Sequence, residues 1–592
     1  MSRSRAIHLL AVAVYVVIGI VTVSGGLLGG PDVIVGDLKH HAFEAAWFHA
    51  AVHEALTTWP PSYQTQLILQ PEPFDVLGAI PDIGNQTLAV PLVALVGPLQ
   101  AFDIVQVIKV AAAGLATYSL SFVLTRRHVP SLAAGALFAA ASPIWFALNW
   151  GEDDVVAMWL LPAYLAVLFH ALGEDGPPRS AVAPALAIAA VGYFNSYYLV
   201  FAATSTLVVG LTCLRRARAE PRAWLRFGGV YGLVAALAYL PRLLVGVRPT
   251  RMGTVETTAQ VIFSVEDLLH QSPLYEPTSS LDLGGFFWPP HRPPGGEALI
   301  YEGYLYVGLA ALGLAALGLF VQKARRGGLL LVGATGFVLA CGAYVLWDGQ
   351  TVGLGPLEVI PLPGGVLTAI GPVMDRMMHP YRFVILGFIT IAVLGGSGAA
   401  KLAELTRTPA WVQAGLVFLL TAGALAERVW ATPEIALVKS AEVLSGDWPD
   451  RLPETERPGI LHLPLPMNRK SRHTLTEGSR YHIALQLLTH GRPLYIPAKL
   501  PLVQRRLWPG ELEAQLMTLV EDGVGLVVLD GFVVSQCMGL GIPMPPETFR
   551  QLPMASANLE TCDLEMIQLD PVVSAWILPD RPACEGAEAP PR

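Results

Sequence analysis

Runs of about twenty apolar residues recur through the first 430 residues of the chain, and they restrict the fold more than any other feature. Of its 592 residues, 53% are hydrophobic and only 14% are charged. Soluble domains carry about 25% charged residues. This chain has too few charged residues to cover its apolar residues with a surface of ordinary polarity in water. The sequence therefore predicts an α-helical polytopic membrane protein.

The apolar runs predict about eleven membrane-spanning helices. They lie at residues 7–29, 104–124, 130–148, 155–172, 181–194, 197–214, 224–245, 300–320, 328–347, 381–400 and 409–430. Residues 88–100 are short and interrupted by proline, and we expect a helix there that lies at the membrane interface or dips into it. The first run could instead be a cleaved signal peptide, but it is longer than the usual apolar region of a signal, so we interpret it as a retained helix.

Basic clusters fix the expected orientation. With the N-terminus in the cytoplasm, every short cluster of Lys and Arg falls on the cytoplasmic side, as the positive-inside rule requires. These clusters lie at 125–128, 173–180, 215–226, 322–326 and 401–407. The sequence thus predicts a multi-pass protein of the inner (plasma) membrane whose C-terminal residues are extracytoplasmic, or periplasmic.

The predicted outer side holds a first loop (30–87), a second loop (149–154), two long loops (246–299 and 348–380) and a tail. Within the first loop, residues 42–56 predict an amphipathic helix on the membrane surface. The long loops are rich in Gly and Pro and are typical of binding loops or lids, although they could be plain connectors. The expected organisation is a membrane domain (1–430) followed by the tail (431–592).

The tail differs in composition from the membrane domain. Short β-type runs at 459–465, 523–532 and 564–569 alternate with helical patterns at 480–491 and 511–522. This alternation predicts a small extracytoplasmic α/β domain. Cys537, Cys562 and Cys584 would face an oxidising compartment, where one disulfide is expected, and the sequence leaves the pairing open.

Charge and cysteine content exclude several classes of protein. The net charge of −8 argues against a nucleic-acid partner, which would require clustered excess cations. Five cysteines without a CxxC pair exclude both a disulfide-stapled scaffold and a zinc ribbon.

Several short segments, taken in order, resemble a known family. They are "VGD" (35–37), "NWGEDD" (149–154), "YEGYLYVGLAALGLAALG" (301–318), "MHPYRFVILGFITIAVLGGSGAAKL" (378–402) and, in the tail, "ILHLPL" and "LQLLTHGRPL". This order resembles the bacterial YfhO-like branch of the GT-C membrane glycosyltransferases over most of the chain.

The resemblance implies a reaction and its residues. Enzymes with the GT-C fold move a sugar from a polyprenyl-phosphate carrier to an acceptor on the outer side of the membrane, here an envelope glycan, lipid or protein. Asp37 matches the carboxylate that acts as catalytic base on the first outer loop. A second acid is expected among Glu152, Asp153 and Asp154. YfhO-like relatives often carry Gly-His where this chain has Gly151-Glu152, so the acid that points into the site stays open.

The chemistry supports the same residue types. A hydroxyl that attacks an anomeric carbon needs a proton acceptor within hydrogen-bond reach, and the phosphate leaving group needs fixed cations or donors. The candidates for phosphate binding are Lys39, His40, His41, Arg242, Arg376, Arg382 and Lys109. Lys109 falls inside an apolar span, where a charge is costly and therefore suggests function. Asp37 and His40 share a helical face and could bind Mg²⁺ or Mn²⁺.

The same residues admit structural roles. Asp37 could cap the following helix, the acids of the second loop could be solvated, and Arg376 and Arg382 could anchor a span to lipid headgroups. Adjacent His40 and His41 cannot both face one site from a helix.

Two other functions also stay open: a transporter or flippase of a lipid-linked glycan, and a non-catalytic envelope assembly protein. Transporters usually show internal repeats and ionisable groups near mid-membrane; we find no repeat in this sequence, and its acids cluster at one face, which argues against a transporter.

Overall fold

The computed structural model describes a little more than two thirds of the chain, and the fold is given for those residues. They are 3–30, 33–36, 42–59, 61, 64–69, 73–75, 83–173, 176–246, 280–288, 305–320, 326–342, 345–347, 350–352, 362–363, 379–431, 435–439, 451–463, 494–495, 502, 507–530, 551–571 and 573–584.

Helices dominate the membrane domain. In the first 246 residues they are α1 (Arg3–Gly29), α2 (Ala42–Thr57), α3 (Ile83–Val96), α4 (Pro98–Thr125), α5 (His128–Ala139), α6 (Ser142–Trp150), α7 (Asp153–Val156), α8 (Leu160–Leu172), α9 (Val182–Phe194), α10 (Ser196–Thr212), α11 (Leu214–Ala219) and α12 (Pro221–Gly246). Further along are α13 (Leu283–Phe287), α14 (Leu309–Leu319), α15 (Arg326–Ala340), α16 (Val384–Leu405) and α17 (Ala410–Ala431). Short 3₁₀ turns join α7 to α8 (Ala157–Trp159) and precede α16 (Pro380–Phe383).

Within the described residues, seven helices are long and apolar enough to cross a membrane. They are Arg5–Gly29, Pro98–Thr125, His128–Trp150, Asp153–Leu172, Pro221–Arg242, Pro380–Leu405 and Ala410–Ala431. Four predicted spans coincide with the shorter apolar helices α9, α10, α14 and α15. A multi-pass membrane protein is therefore confirmed, whereas the count of about eleven spans stays a prediction.

Two helices form the centre of the bundle. Helix α4 packs against α1, α5 and α8, and α16 packs against α5, α14 and α15. Small residues allow the close packing of α16: a Cβ at Gly396 would lie 2.2 Å from the Pro130 carbonyl oxygen, and one at Gly398 would meet the Leu314 carbonyl oxygen at 1.8 Å. Helices in lipid associate through such close backbone contact, because apolar side chains gain no hydrophobic stabilisation by moving from lipid into a helix interface.

Helix α2 differs from its expected environment. It forms where the helical pattern predicts it, but it packs between α3 and α4, and Phe43 and Trp47 are almost fully buried. The aromatic residues thus fill the interior of the first loop and do not rest on the membrane surface. The apolar spacing predicted a buried face correctly; it could not distinguish lipid from protein as the partner of that face.

Among the described residues, the strands form one seven-stranded sheet and two two-stranded sheets. They are β1 (Val33–Val35), β2 (Gln64–Leu69), β3 (Pro73–Asp75), β4 (Leu346–Trp347), β5 (Gln350–Thr351), β6 (Leu437–Lys439), β7 (Gly459–Leu463), β8 (Leu494–Tyr495), β9 (Val524–Asp530), β10 (Glu565–Asp570) and β11 (Val573–Ile577). Strands β1 and β6 pair antiparallel, as do β4 and β5. The β1–β6 pair connects the start of the first loop to the start of the tail.

The tail carries a mixed sheet whose strand order is β10-β11-β9-β7-β8-β2-β3. Strands β9, β7, β8 and β2 run parallel, and the outer strands on each side are antiparallel. Helices α18 (Pro509–Glu521) and α19 (Gln551–Leu559) pack against β9. Two strands of this sheet, β2 and β3, come from the first loop, so the sheet contains residues from both sides of position 431.

A disulfide joins Cys562 to Cys584 in the tail. It is one of the pairings that the sequence left open. Cys537 and the helix expected at 480–491 lie outside the described residues.

Candidate active site

The first and second loops meet at one end of the helix bundle. A Cβ built on Gly36 would lie 3.2 Å from the Cα of Gly151, and Gly151 in turn abuts the backbone of Ala42. Both glycines have positive φ, +120° and +64°, which side chains with a Cβ rarely adopt. Glycine at these two positions therefore permits contact between the residues that precede Asp37 and Glu152.

The start of the tail closes the same junction. The Gly36 amide donates to the Ala436 carbonyl at 2.8 Å, and the Ala436 amide donates to the side-chain oxygen of Asn149. Segments from the first loop, the second loop and the tail are thus hydrogen-bonded to one another around a single point.

The three consecutive acids of the second loop occupy three different environments. Asp153 is buried, at 4% exposure, and begins α7. Lys109 donates to its carboxylate and, at 2.8 Å, to its main-chain oxygen. Gln106 donates to the same carboxylate oxygen as Lys109, while Gln86 at 3.4 Å and His49 at 3.3 Å approach the other. Asp153 is therefore surrounded by donors from α2, α3 and α4.

Glu152 forms a buried ion pair with Arg382. The Arg382 Nη2 donates to Glu152 Oε1 at 2.8 Å, and both side chains are 7% exposed. The guanidinium lies 5.3 Å from the ring centre of Tyr197 and donates through Nε to the Tyr381 hydroxyl at 3.2 Å. Aromatic faces and a carboxylate together hold this cation in a fixed orientation.

Asp154 is the most accessible of the three acids, at intermediate burial. The Asn195 side-chain amide donates to its carboxylate at 2.9 Å and to its main-chain oxygen at 3.1 Å. Asn195 also caps α10 by accepting from the Tyr198 amide. A neutral amide thus positions Asp154, whereas cations bind its two neighbours.

Sequence reasoning missed a fourth acid, Asp103, which is 1% exposed in α4. Its Oδ1 accepts the Val35 amide at 3.1 Å, two residues before Asp37. The predicted span began at residue 104 and so excluded it, although Pro98 at the first position of the helix signalled an earlier start. His49, Gln86 and Asn195 were likewise missed, because their role depends on contacts distant in sequence.

The other predicted site residues are distributed as follows. Asp37, Lys39, His40, His41 and Arg376 lie outside the described residues. Arg242 lies near the end of α12, which packs mainly against α9. Among the described residues, no group of three or more His, Cys, Asp or Glu side chains could hold a metal ion; a metal at Asp37 and His40 stays a prediction.

The described residues supply two groups suited to glycosyl transfer. One is a partly exposed carboxylate, Asp154, and the other is a fixed guanidinium, Arg382. The Lys109 ammonium is only 1% exposed and is bound by Asp153. The arrangement therefore places a partly exposed carboxylate and a guanidinium bound by Glu152 on neighbouring elements near the junction of the two loops.

The fold is similar to that of known GT-C membrane glycosyltransferases. The structure of arabinofuranosyltransferase AftD from Mycobacteria superposes with a TM-score of 0.51 at 16% sequence identity, covering 98% of this chain and 40% of AftD. The chain thus spans about two fifths of the length of that neighbour. The oligosaccharyltransferase of Archaeoglobus fulgidus gives a TM-score of 0.47 at 12% identity, covering 94% of this chain and 73% of that protein.

The chain belongs to the family described as a domain of unknown function, DUF6311, whose profile matches residues 36–414. No curated protein matches the chain by sequence.

Proposed function

We propose that the protein is a membrane glycosyltransferase that moves a sugar from a polyprenyl-phosphate carrier to an acceptor of the cell envelope. The observation that carries the proposal is the contact of Gly36 with Gly151, which joins two acid-bearing loops at one end of a GT-C bundle. The acceptor is a glycan, a lipid or a protein, and the membrane supplies the carrier.

Asp37 is the proposed catalytic base, because it directly follows Gly36 at that junction. A base must lie within hydrogen-bond reach of the attacking hydroxyl. Asp154 is the proposed second acid, since it is partly exposed and its hydrogen-bond donor is the neutral amide of Asn195. Glu152 serves by holding Arg382.

Arg382 is the proposed contact to the phosphate of the donor. Its guanidinium is fixed by Glu152 and by the ring of Tyr197, and a planar, permanently charged group suits the developing charge of a phosphate leaving group. Lys39, His40, His41, Arg242 and Arg376 remain proposed contributors. A divalent ion, Mg²⁺ or Mn²⁺, at Asp37 and His40 would supply further charge stabilisation.

The proposed reaction takes place on the extracytoplasmic side. The Cys562–Cys584 disulfide supports this orientation, because disulfides persist in oxidising compartments. The basic clusters support a cytoplasmic N-terminus. Affiliation with the YfhO-like branch is proposed on the segment order alone.

The test compares Asp37→Asn with Asp580→Asn, a control acid on the tail whose side chain is 76% exposed. Full-length protein in nanodiscs is supplied with a panel of polyprenyl-phosphate monosaccharides and with an envelope extract as the source of acceptor, and release of polyprenyl phosphate is measured. We expect Asp37→Asn to lower the rate about 100-fold or more while the control keeps it. Chelation by EDTA and restoration by Mg²⁺ or Mn²⁺ test the metal.

The second readout is the envelope glycan profile of a host strain that lacks the gene. Complementation with the parent chain should restore the profile, and complementation with Asp37→Asn should not, at equal membrane content. An unchanged profile with Asp37→Asn contradicts the enzyme and favours the flippase or the assembly protein.

A further inference from the structure

Helix α4 presents a buried polar stripe to both loops. Asp103, Gln106 and Lys109 follow each other at intervals of three residues, which places them on one side of the helix. Each is about 1% exposed. Polar and charged groups inside a membrane-spanning helix are costly to bury, so a stripe of three requires a reason beyond packing.

Asp103 holds the first loop. Its Oδ1 accepts the amide of Val35, the last residue of β1. On the other side, a Cβ at Gly26 would lie 2.2 Å from Asp103 Oδ2, so the glycine of α1 leaves room for this carboxylate. The stripe thus fixes the backbone two residues before Asp37.

Gln106 and Lys109 hold the second loop. Both donate to the Asp153 carboxylate, and Lys109 also donates to the Asp153 main-chain oxygen. His49 of α2, in the first loop, reaches the same carboxylate at 3.3 Å. Asp153 lies next to both Glu152 and Asp154, so its position determines theirs.

We propose that this stripe is a positioning device that fixes the backbones of the two loops relative to each other, through Val35 and Asp153, and that Lys109 and Asp153 are positioning residues. The proposal rests on the proposed function and deepens it. Lys109 is about 1% exposed and donates to both the carboxylate and the main-chain oxygen of Asp153, so its proposed role is exerted through Asp153. Displacing a reacting group by about 1 Å can lower the reaction rate by a large factor. A rigid connection of the two loops to α4 would prevent such displacements.

One measurement does not depend on activity. Hydrogen exchange is followed in full-length protein in nanodiscs, in peptides that cover 33–36 and 147–156. We expect Asp103→Ala to speed exchange at 33–36 and Lys109→Met to speed it at 147–156. Asp103→Asn retains an oxygen acceptor and should stay closer to the parent. Arg127 lies between α4 and α5, at the end of α4 that is far from the two loops, and forms an ion pair with Glu404. Arg127→Met removes this ion pair and should change exchange in neither segment.

The second measurement is donor turnover on the same polyprenyl-phosphate panel. We expect Lys109→Met to lower kcat about tenfold or more per folded molecule, with KM changed less than about threefold, because orientation is lost and donor binding is retained. If Lys109→Met does not fold, the double variant with Asp153→Asn removes both charges together and takes its place.

The outcomes separate the two proposals. Parent-like exchange at both segments in the folded variants overturns the positioning role, and so does faster exchange with an unchanged kcat. Full activity of Asp37→Asn contradicts the proposed function instead. The exchange experiment then still decides whether the stripe holds the two loops.

Discussion

At the scale of single residues, the partner of each acid distinguishes Glu152, Asp153 and Asp154. Three adjacent carboxylates look equivalent in the sequence, yet one binds a guanidinium, one an ammonium and one an amide. A carboxylate that is hydrogen-bonded to a buried cation is held in place. Asp154, which has a neutral partner and some exposure, is therefore the acid of this loop that we propose for the chemistry.

Arg382→Lys tests how specific the guanidinium is. Lysine keeps the charge but loses the planar fork, the stacking on Tyr197 and at least one hydrogen bond. We expect a loss of about 2 kcal/mol in the free energy of unfolding, seen as a lower melting temperature in detergent, together with weaker binding of polyprenyl phosphate.

The exposed Arg179 offers the matched control. Arg179→Lys makes the same chemical change where the side chain is in solvent, and should leave both stability and binding unchanged. An Arg382→Lys variant as stable as this control would show that only the charge matters at that position.

At the scale of elements, the junction depends on how closely two loop backbones approach. Gly36 touches Ala42 and Gly151, and these contacts leave no space for a side chain. The hydrogen bonds of Gly36 to Ala436 and of Asn149 to the same residue then add the tail. A substitution at Gly36 should therefore displace three segments: the first loop, the second loop and the start of the tail.

Gly36→Ala should separate the loops. The added methyl meets Ala42 Cβ at 2.7 Å and the Gly151 backbone at 3.2 Å, so the backbone must move. We expect a cost of about 2–4 kcal/mol, combining strain at positive φ with overpacking, and a lower kcat in the donor assay.

Gly30→Ala separates these two contributions. Gly30 has a similar φ of +106°, but no heavy atom lies within 4 Å of its ideal Cβ position. It should show the strain alone, with kcat unchanged. Equal effects of the two variants would mean that the contact between the loops contributes nothing.

Much of this element-level arrangement could be read from local sequence patterns. The predicted spans near α1, α4, α8, α16 and α17 coincide with long apolar helices. The contacts of Asp153 could not be read, because Lys109 and His49 lie 44 and 104 residues away. Periodicity reports which face of a helix is buried, and it carries no information on which distant element covers that face.

At the scale of the whole molecule, the tail and the first loop share one sheet. Strand β2 pairs in parallel with β8, and β1 pairs with β6, so the tail contacts the first loop on both sides of α2. The β-type runs of β7, β9 and β10 were visible in the sequence. The pairing of Ile68 with Leu494 was not, since β8 spans two residues and nothing local links segments 426 residues apart.

Ile68→Pro tests whether this shared sheet holds the first loop in place. Strand β2 lies between β3 and β8, and proline removes a ladder donor from an interior strand. We expect the variant to insert in the membrane normally, to expose 64–69 and the tail to limited proteolysis, and to lose donor turnover because the segment that carries Asp37 is freed. Ile68→Val keeps the N–H and the β-branched shape and should behave as the parent chain. If Ile68→Pro loses protease resistance in the tail but keeps its turnover, then the sheet stabilises the tail alone and the β1–β6 pair suffices to position the first loop.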